Sequence, residues 1–373
     1  MRRGIAVLCL IPLLLCGCTG GGILNIKKPK YQEVNVDEAI FENKFYYEQL
    51  SEDGQLIYRE LYQGVQDYKK EITIHGTDGE FAGTLLQYIV YDFPEIFWLE
   101  GSCTTVVYEN THTVLEPIYN HTSEERDVMQ VEIEEAADEI LAQIPSENSD
   151  YEKIKAVYEI LINEVAYVEG AEENQNIYSS LVKKASVCAG YARAIQYLLN
   201  KLDIYCIYVV GTADGESHAW NIVNCNGNMY NVDATWGDPL FKGEKKDTEI
   251  MYDFLCCSQA AIDSTHTKDA RFDYPSCTSN DLEYYRMNQM YYESADEKTL
   301  LKAMYHSIDA KEDCTIFKFA SRELYEDARN LLTSKLLEDA AQYLGRTYSI
   351  NEINCRYSEL ASFNRLVIYW SYK

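Results

Sequence analysis

The chain has 373 residues, 60 acidic against 33 basic, and a formal net charge of −27. That balance argues against a nucleic-acid binder, because a polyanion is repelled by such a surface. The length suffices for two or three modest domains, and no fixed-period repeat or low-complexity tract interrupts it.

In chain order, Met1-Arg2-Arg3 is a charged start and Ile5 to Leu15 an apolar run too short to span a bilayer. The run ends in Leu15-Cys16-Gly17-Cys18, which resembles a bacterial lipobox. The resemblance implies a signal peptide over 1–17, cleavage before Cys18, and a lipid on the Cys18 thiol. Residues 18–35, with Thr19-Gly20-Gly21-Gly22, read as a flexible tether. The expected location is extracytoplasmic, at the membrane through that anchor. A covalent anchor suits a chain whose negative charge repels anionic lipid headgroups.

Residues 36–147 read as an accessory α/β region. Ser51 caps a helix whose apolar side carries Ile57, Leu61, Val65 and Tyr68, and Ile72-Thr73-Ile74 is β-like. Phe81 to Tyr91 is a helix that stops at Asp92-Phe93-Pro94. Phe97 to Leu99, Thr104 to Tyr108 and Thr113 to Tyr119 read as strands. A long helix from Ser123 to Ile144 follows, with Val128, Val131, Ala136, Ile140 and Ile144 recurring, and Pro145 ends it.

Residues 148–274 hold the chemistry. A helix begins near Asp150. A second starts near Cys188, with Ser186 as its N-cap and Cys188, Ala192, Ile195, Leu199 and Leu202 along one face. Free N–H groups and the dipole at such a start favour an anion. Gly190 close to that start costs about 1 kcal/mol relative to alanine, a sign that another backbone or a substrate packs against it. Residues 217–224 and 228–234 read as strands around Asn226-Gly227, a strong hairpin signal. With the turn centred there, Asp233 lies opposite Trp220 and Thr235 opposite His218. His218 and Asp233 then become diagonal neighbours on one face, about 7–8 Å apart or somewhat less between Cβ atoms, within reach of an imidazole–carboxylate hydrogen bond. A one-residue slip would separate them. Cys188, His218 and Asp233 are the set needed to make a thiolate, move its proton and hold the imidazole. Trp220 and Trp236 read as core and site-wall aromatics; His266 could stand near the site, but a surface or core place is the default reading. His75, His112, His121 and His306 show no metal spacing, and the vicinal Cys256-Cys257 is not a metal motif.

Past a boundary at Phe272-Asp273-Tyr274-Pro275-Ser276, residues 275–373 read as a small α/β domain suited to substrate selection or to packing over the core. Its expected elements are a helix over Leu300 to Ile308, a strand over Thr315 to Phe319, a Ser321-capped helix through Leu332, and a helix over Leu336 to Leu344. Strands over Tyr348 to Tyr357 and Leu366 to Trp370 close it. The abundant tyrosines, 32 in all, read as core and rim packing. Past the expected cleavage site, the eight cysteines besides Cys188 and the anchor are too scattered to suggest a stapled scaffold.

Three blocks carry a family resemblance: Val187-Cys188-Ala189-Gly190-Tyr191-Ala192, His218-Ala219-Trp220-Asn221 and Val232-Asp233-Ala234-Thr235-Trp236-Gly237-Asp238-Pro239, preceded by Asp150 to Tyr167 as a leading helix. They resemble the bacterial transglutaminase-like superfamily, a branch of the papain-like thiol enzymes, over residues 148–270. Ala189 departs from the acidic or amide residue that many relatives carry there. The resemblance implies an α+β papain/transglutaminase-like core, with a cysteine-bearing helix on an antiparallel sheet that bears His and Asp. It also implies Cys188 as nucleophile, His218 as general base and acid, and Asp233 as the orienting group. The oxyanion hole would use the Cys188 N–H and a second donor, for which Tyr178 is a candidate. No metal or organic cofactor is implied. The expected activity is cysteine-dependent cleavage or transfer of peptide or isopeptide amides, hydrolytic or cross-linking, on peptide, protein or peptidoglycan-peptide substrates. The other reading is an inactive scaffold of this kind, a lipoprotein that binds protein or cell wall. Retention of His218 and Asp233 beside Cys188 argues against it.

Overall fold

The computed structural model describes residues 29–108, 111–238, 250–350, 353 and 355–372. The expected signal peptide, the Cys18 anchor, most of the tether and Pro239 lie outside the described residues. The chain divides into two units, one up to Thr278 and one from Ser279. The accessory region expected over 36–147 and the core expected over 148–274 fall in the same unit. No helix among the described residues is long and apolar enough to cross a membrane.

Helices dominate the start of the first unit. Ser51 caps the helix Glu52–Gln66, its hydroxyl accepting from the Gly54 N–H, and Ile57, Leu61 and Val65 face inward. Tyr68 lies beyond that helix, with a left-handed φ of 56°. The helix Gly79–Asp92 is capped by Asp78 and ends before Phe93, where the following proline disfavours helical backbone. Both helices pack on an antiparallel sheet in which Ile72–Ile74 and Leu99–Tyr108 flank His112–Tyr119. Phe97 and Trp98, expected to begin a strand, lie outside it. The long helix spans Ser123–Leu141 behind a Thr122–Glu125 capping box. Its buried stripe is Met129, Ile133, Ala137 and Ile140, not the set expected: Val128 and Val131 are 62% and 57% exposed. Steps of four, four and three keep one face, whereas the Val131 to Ala136 step of five rotates off it.

The core is a four-stranded antiparallel sheet in the order Asn228–Val232, Glu216–Cys225, Cys206–Ala213, His266–Lys268. The two-residue turn has Asn226 at φ 55° and Gly227 at φ 83°, the doubly positive pair that a type I′ hairpin needs. Its pairs run from Cys225 with Asn228 to Asn221 with Val232, the expected register. The ladder ends at Val232, so Asp233 and Thr235 leave the strand. The helix Cys188–Lys201 lies on this sheet, where the Asn221 side-chain amide donates to the Ala192 carbonyl at 2.9 Å. The helix Asp150–Glu164, with a Ser149–Glu152 capping box, packs beside it.

Ser186 is not the cap of the Cys188 helix. Val187 holds that position and offers no side-chain bond, while Ser186 sits in the two-residue strand Ala185–Ser186. Its hydroxyl is already used, donating to the Asn174 carbonyl at 2.7 Å and lying 2.8 Å from Ser179 Oγ. This arrangement accounts for Gly190: a Cβ there would come within 1.9 Å of Ser186 Oγ and 3.1 Å of the Asn176 carbonyl. The close neighbour is the protein itself.

The second unit pairs strands in the order Tyr291–Tyr292, Cys314–Phe319, Arg365–Tyr369, Arg356–Leu360. Helices Glu297–Asp309, Arg322–Leu331 (capped by Ser321) and Leu337–Tyr348 share a core with it through Leu300, Phe317, Tyr325, Leu344 and Ile368. The strand expected from Tyr348 begins only at Arg356, because the preceding helix continues through Tyr348 and stops at the left-handed Ser349.

Gly190→Ala is expected to destabilise the first unit by about 1–3 kcal/mol through overpacking. Denaturant unfolding checks this. Adding Ser186→Ala, which removes the obstructing oxygen, should give a double-mutant loss smaller than the sum of the single losses.

Candidate active site

Three elements converge at one end of the core sheet. Cys188 is the first residue of its helix, where the leading N–H groups have no intrahelical partner and no side chain caps them. His218 stands near the start of the strand Glu216–Cys225. Asp233 follows the adjacent strand and caps the short helix Ala234–Gly237, its Oδ1 accepting from the Trp236 N–H at 3.1 Å.

The expected imidazole–carboxylate contact is present. His218 Nε2–H donates to Asp233 Oδ2 at 2.7 Å, with both groups buried. That leaves Nδ1 of the ring for Cys188, whose sulfur is a close enough neighbour to act on the titration of the imidazole. Burial alone would lower the pKa of His218. The Asp233 charge, the Asp233 hydrogen bond and Cys188 outweigh burial and hold it well above the ordinary imidazole value. Burial raises Asp233, but attraction and hydrogen bonding from His218, then His266, outweigh it and hold the carboxyl below the usual range. Cys188 is a free thiol, partly exposed.

His266 is buried in the core, as one of its sequence readings had it, and it also reaches the site. Its Nε2–H donates to the same Asp233 Oδ2 at 2.9 Å, and its Nδ1 lies 2.7 Å from Thr265 Oγ1. The strand His266–Lys268 carries it there by pairing with Ala213 of the next strand. A place near the site was one sequence reading of His266, but its bond to Asp233 was not foreseen, since a three-residue edge strand with no turn signal left nothing to detect. Trp236 meets both imidazoles edge-on, Trp220 stacks on His218 and meets His266 edge-on, and Trp220 Nε1–H donates to Asn231 Oδ1 at 3.2 Å.

Tyr178 does not serve as the second oxyanion donor. Its hydroxyl donates to Glu132 Oε2 at 2.6 Å, its ring stacks on Phe97, and it is absent from the walls of the cleft that holds Cys188. That cleft, about 810 Å³, contains Cys188 and His218 with Tyr167, Gln175 and Ala189 near them, and Gln87, Tyr91 and Glu100 of the N-terminal region form another wall. His218, Asp233 and His266 also form a potential metal-ligand group, with donor atoms within 4.8 Å of one another. The 2.7 and 2.9 Å separations are hydrogen-bond lengths, however, shorter than the roughly 3.3 Å between ligands on a tetrahedral zinc with bonds near 2.0 Å. The described geometry is a hydrogen-bonded set in which both imidazoles meet one carboxylate oxygen.

Residues 138–234 match the family model described as the transglutaminase-like superfamily. No curated protein matches the sequence. Among solved structures, a TGase shares 15% identity, covers 40% of this chain and aligns with a TM-score of 0.28. A proposed cysteine protease from Cytophaga hutchinsonii shares 18% identity over 37% of the chain, with a TM-score of 0.26. The chain spans 47% and 63% of the lengths of these two structures. Menin, whose structure reveals the binding site for the Mixed Lineage Leukemia protein, shares 13% identity, over 80% of this chain and 66% of its own, at a TM-score of 0.28. The segment 138–234, which bears Cys188, His218 and Asp233, belongs to the transglutaminase-like superfamily, and the core it shapes is an α+β fold of the papain/transglutaminase type.

Proposed function

We propose that this protein is a thiol enzyme acting on peptide or isopeptide amides, with Cys188 as nucleophile, His218 as base and acid, and Asp233 as orienting group. The observation that carries the reading is the buried His218–Asp233 bond of 2.7 Å beside a cysteine at a helix N-terminus, inside a cleft.

The steps follow from the geometry. Asp233 holds the Nε2–H of His218, so Nδ1 has already taken the proton of Cys188 when the thiolate attacks the amide carbonyl. The tetrahedral oxyanion forms over the uncapped start of the Cys188 helix, where backbone N–H groups are available. The protonated imidazole delivers its proton to the leaving amine, and a thioester remains. Water or a second amine, deprotonated by the same imidazole, resolves it to an acid or a new amide. The triad serves hydrolysis and cross-linking alike, and peptidoglycan peptides are among the amides it suits. The lipobox-like Leu15-Cys16-Gly17-Cys18 supports an extracytoplasmic place, tethered to the membrane through Cys18.

Cys188 should be alkylated by iodoacetamide rapidly at pH 6, where an ordinary thiol with a pKa of about 8.5 is protonated. The raised pKa of His218 keeps the imidazolium in place below its titration and loses it as pH rises through that value. The lowered pKa of Asp233 keeps the carboxylate until pH falls well under the usual carboxyl range. Labelling should therefore stay fast across the neutral range and drop in His218→Ala. Turnover of an amide substrate should fall about 10⁴-fold in either Cys188→Ala or His218→Ala with the fold retained. Slow labelling that rises only near pH 8–9 and ignores His218 would leave a tethered binding protein.

His266 acts as a positioning residue by keeping Asp233 ionised and aimed. Its removal takes away a hydrogen bond to a charged group, so the acid limb of the labelling profile should move to higher pH in His266→Ala. Low on that limb, where the rate falls about ten-fold per pH unit, the expected rate is about ten-fold lower than in the unmutated protein at the same pH. His266→Gln, whose amide can still donate, should restore most of it, and a packing role alone would leave the profile in place.

A further inference from the structure

The cleft around Cys188 holds a cation with no counter-charge among the described residues. Arg193 lies on the Cys188 helix, more than one turn along, and lines the cleft. Its NH1 donates to the Gln175 carbonyl at 3.0 Å, and its guanidinium carbon stands 5.3 Å from the centre of the Tyr208 ring. Its Nε is buried without a hydrogen-bond partner. Its NH2 makes no hydrogen bond to a described residue and is not shut away from solvent.

The other arginine of the cleft is different. Arg271 donates to both oxygens of Asp269, at 2.7 to 3.1 Å, which satisfies its fork. Glu100 and Glu169 also line the cleft, but both are exposed and hydrated at little cost. A partly buried guanidinium without a carboxylate is costly, and an arginine held by a carbonyl on one side and a ring on its face is pre-oriented toward what is missing.

We propose that Arg193 is a substrate-carboxylate subsite, so that the preferred substrates are amides carrying a free carboxylate close to the reacting carbonyl. The inference rests on the reading of Cys188 as the nucleophile. The carboxylate would accept from the free NH2 of Arg193, a charge-assisted bond made only by an anionic substrate. It can come from an acidic side chain or from a chain terminus.

Three near-isosteric reagents separate these cases on the full-length protein: N-iodoacetyl-asparagine amide (neutral), N-iodoacetyl-aspartate α-amide (side-chain carboxylate) and N-iodoacetyl-asparagine (terminal carboxylate). The rate of Cys188 alkylation by each is read by mass spectrometry, and the ratio of anionic to neutral rates within one variant cancels any change in thiol reactivity. At least one carboxylate reagent should react on the order of ten-fold faster than the neutral one, and which one identifies the source. That preference should vanish in Arg193→Gln, reverse in Arg193→Glu and survive in Arg193→Lys. A wild-type ratio near one, or one unchanged by Arg193→Gln, overturns the subsite. If Arg193→Gln slows all three reagents by disturbing the Gln175 segment, the Lys and Glu variants still decide by their opposite ratios. The neutral reagent alone, compared in wild type and His218→Ala, tests the nucleophile reading, so the two ideas fail separately.

Discussion

The site depends on one buried carboxylate. Asp233 is 1% exposed, and an isolated charge in such a place would be neutralised or expelled. It survives because three donors converge on it: the Nε2–H groups of His218 and His266 on Oδ2, and the Trp236 N–H on Oδ1. Each donor belongs to a different stretch of chain, so ionisation of Asp233 is coupled to folding of the whole core. The sign of that coupling is set by the depressed pKa. The stabilisation is complete above the ordinary carboxyl pKa of about 3.9 and is lost as pH falls through the lower folded value. The His218 contribution has the opposite sense, complete below about 6.5 and lost as pH rises through its higher folded value.

The hairpin turn is the second constraint. Asn226 and Gly227 adopt the two left-handed conformations that set a two-residue connection, and this fixes Asn221 against Val232. A slip of one residue would turn His218 away from the side on which Asp233 emerges. Asp233 is not itself in the ladder. Having left the strand, it caps a short helix, and this second duty holds its other oxygen while Oδ2 meets the imidazoles. A diagonal cross-strand pair has thereby become a hydrogen bond of normal length.

Local signals made much of this readable. Cys188, His218 and Asp233 sit at a helix start, in the first strand of a hairpin and just past its second strand, and each position follows from short-range chemistry. The helices with real caps at Ser51 and Ser321 were legible for the same reason. Ser186 misled because a serine two residues before a helix looks like a cap until its hydroxyl is seen bonded elsewhere. Val128 and Val131 misled because valine spacing in the long helix offers a false stripe beside the true one. The strand Cys206–Ala213 and its edge partner His266–Lys268 escaped notice: the pairing of Ala213 with His266 joins segments far apart in sequence, with no turn between them to announce it. His266 was hidden with that strand, and it lies beyond the segment that matches the family.

The N-terminal region is built into the site. Tyr46 donates its hydroxyl to the Tyr208 carbonyl at 2.7 Å, and Gln196 of the Cys188 helix donates to the Tyr91 carbonyl at 3.0 Å. The Tyr91 ring stacks on the Tyr208 ring at 5.2 Å, and Tyr208 in turn carries the Arg193 guanidinium on its ring. A continuous aromatic stack therefore leads from the helix Gly79–Asp92 to the Arg193 charge in the cleft that also holds Cys188. This protein is strongly acidic, and over distances beyond a Debye length of about 8 Å its field is largely screened. Selection of an anionic group must then be made at contact range, by a cation held in a fixed direction. The stack supplies that fixation, so under the proposed reading of Cys188 and Arg193 the N-terminal region would bear on which amides are accepted as well as on how the core is covered.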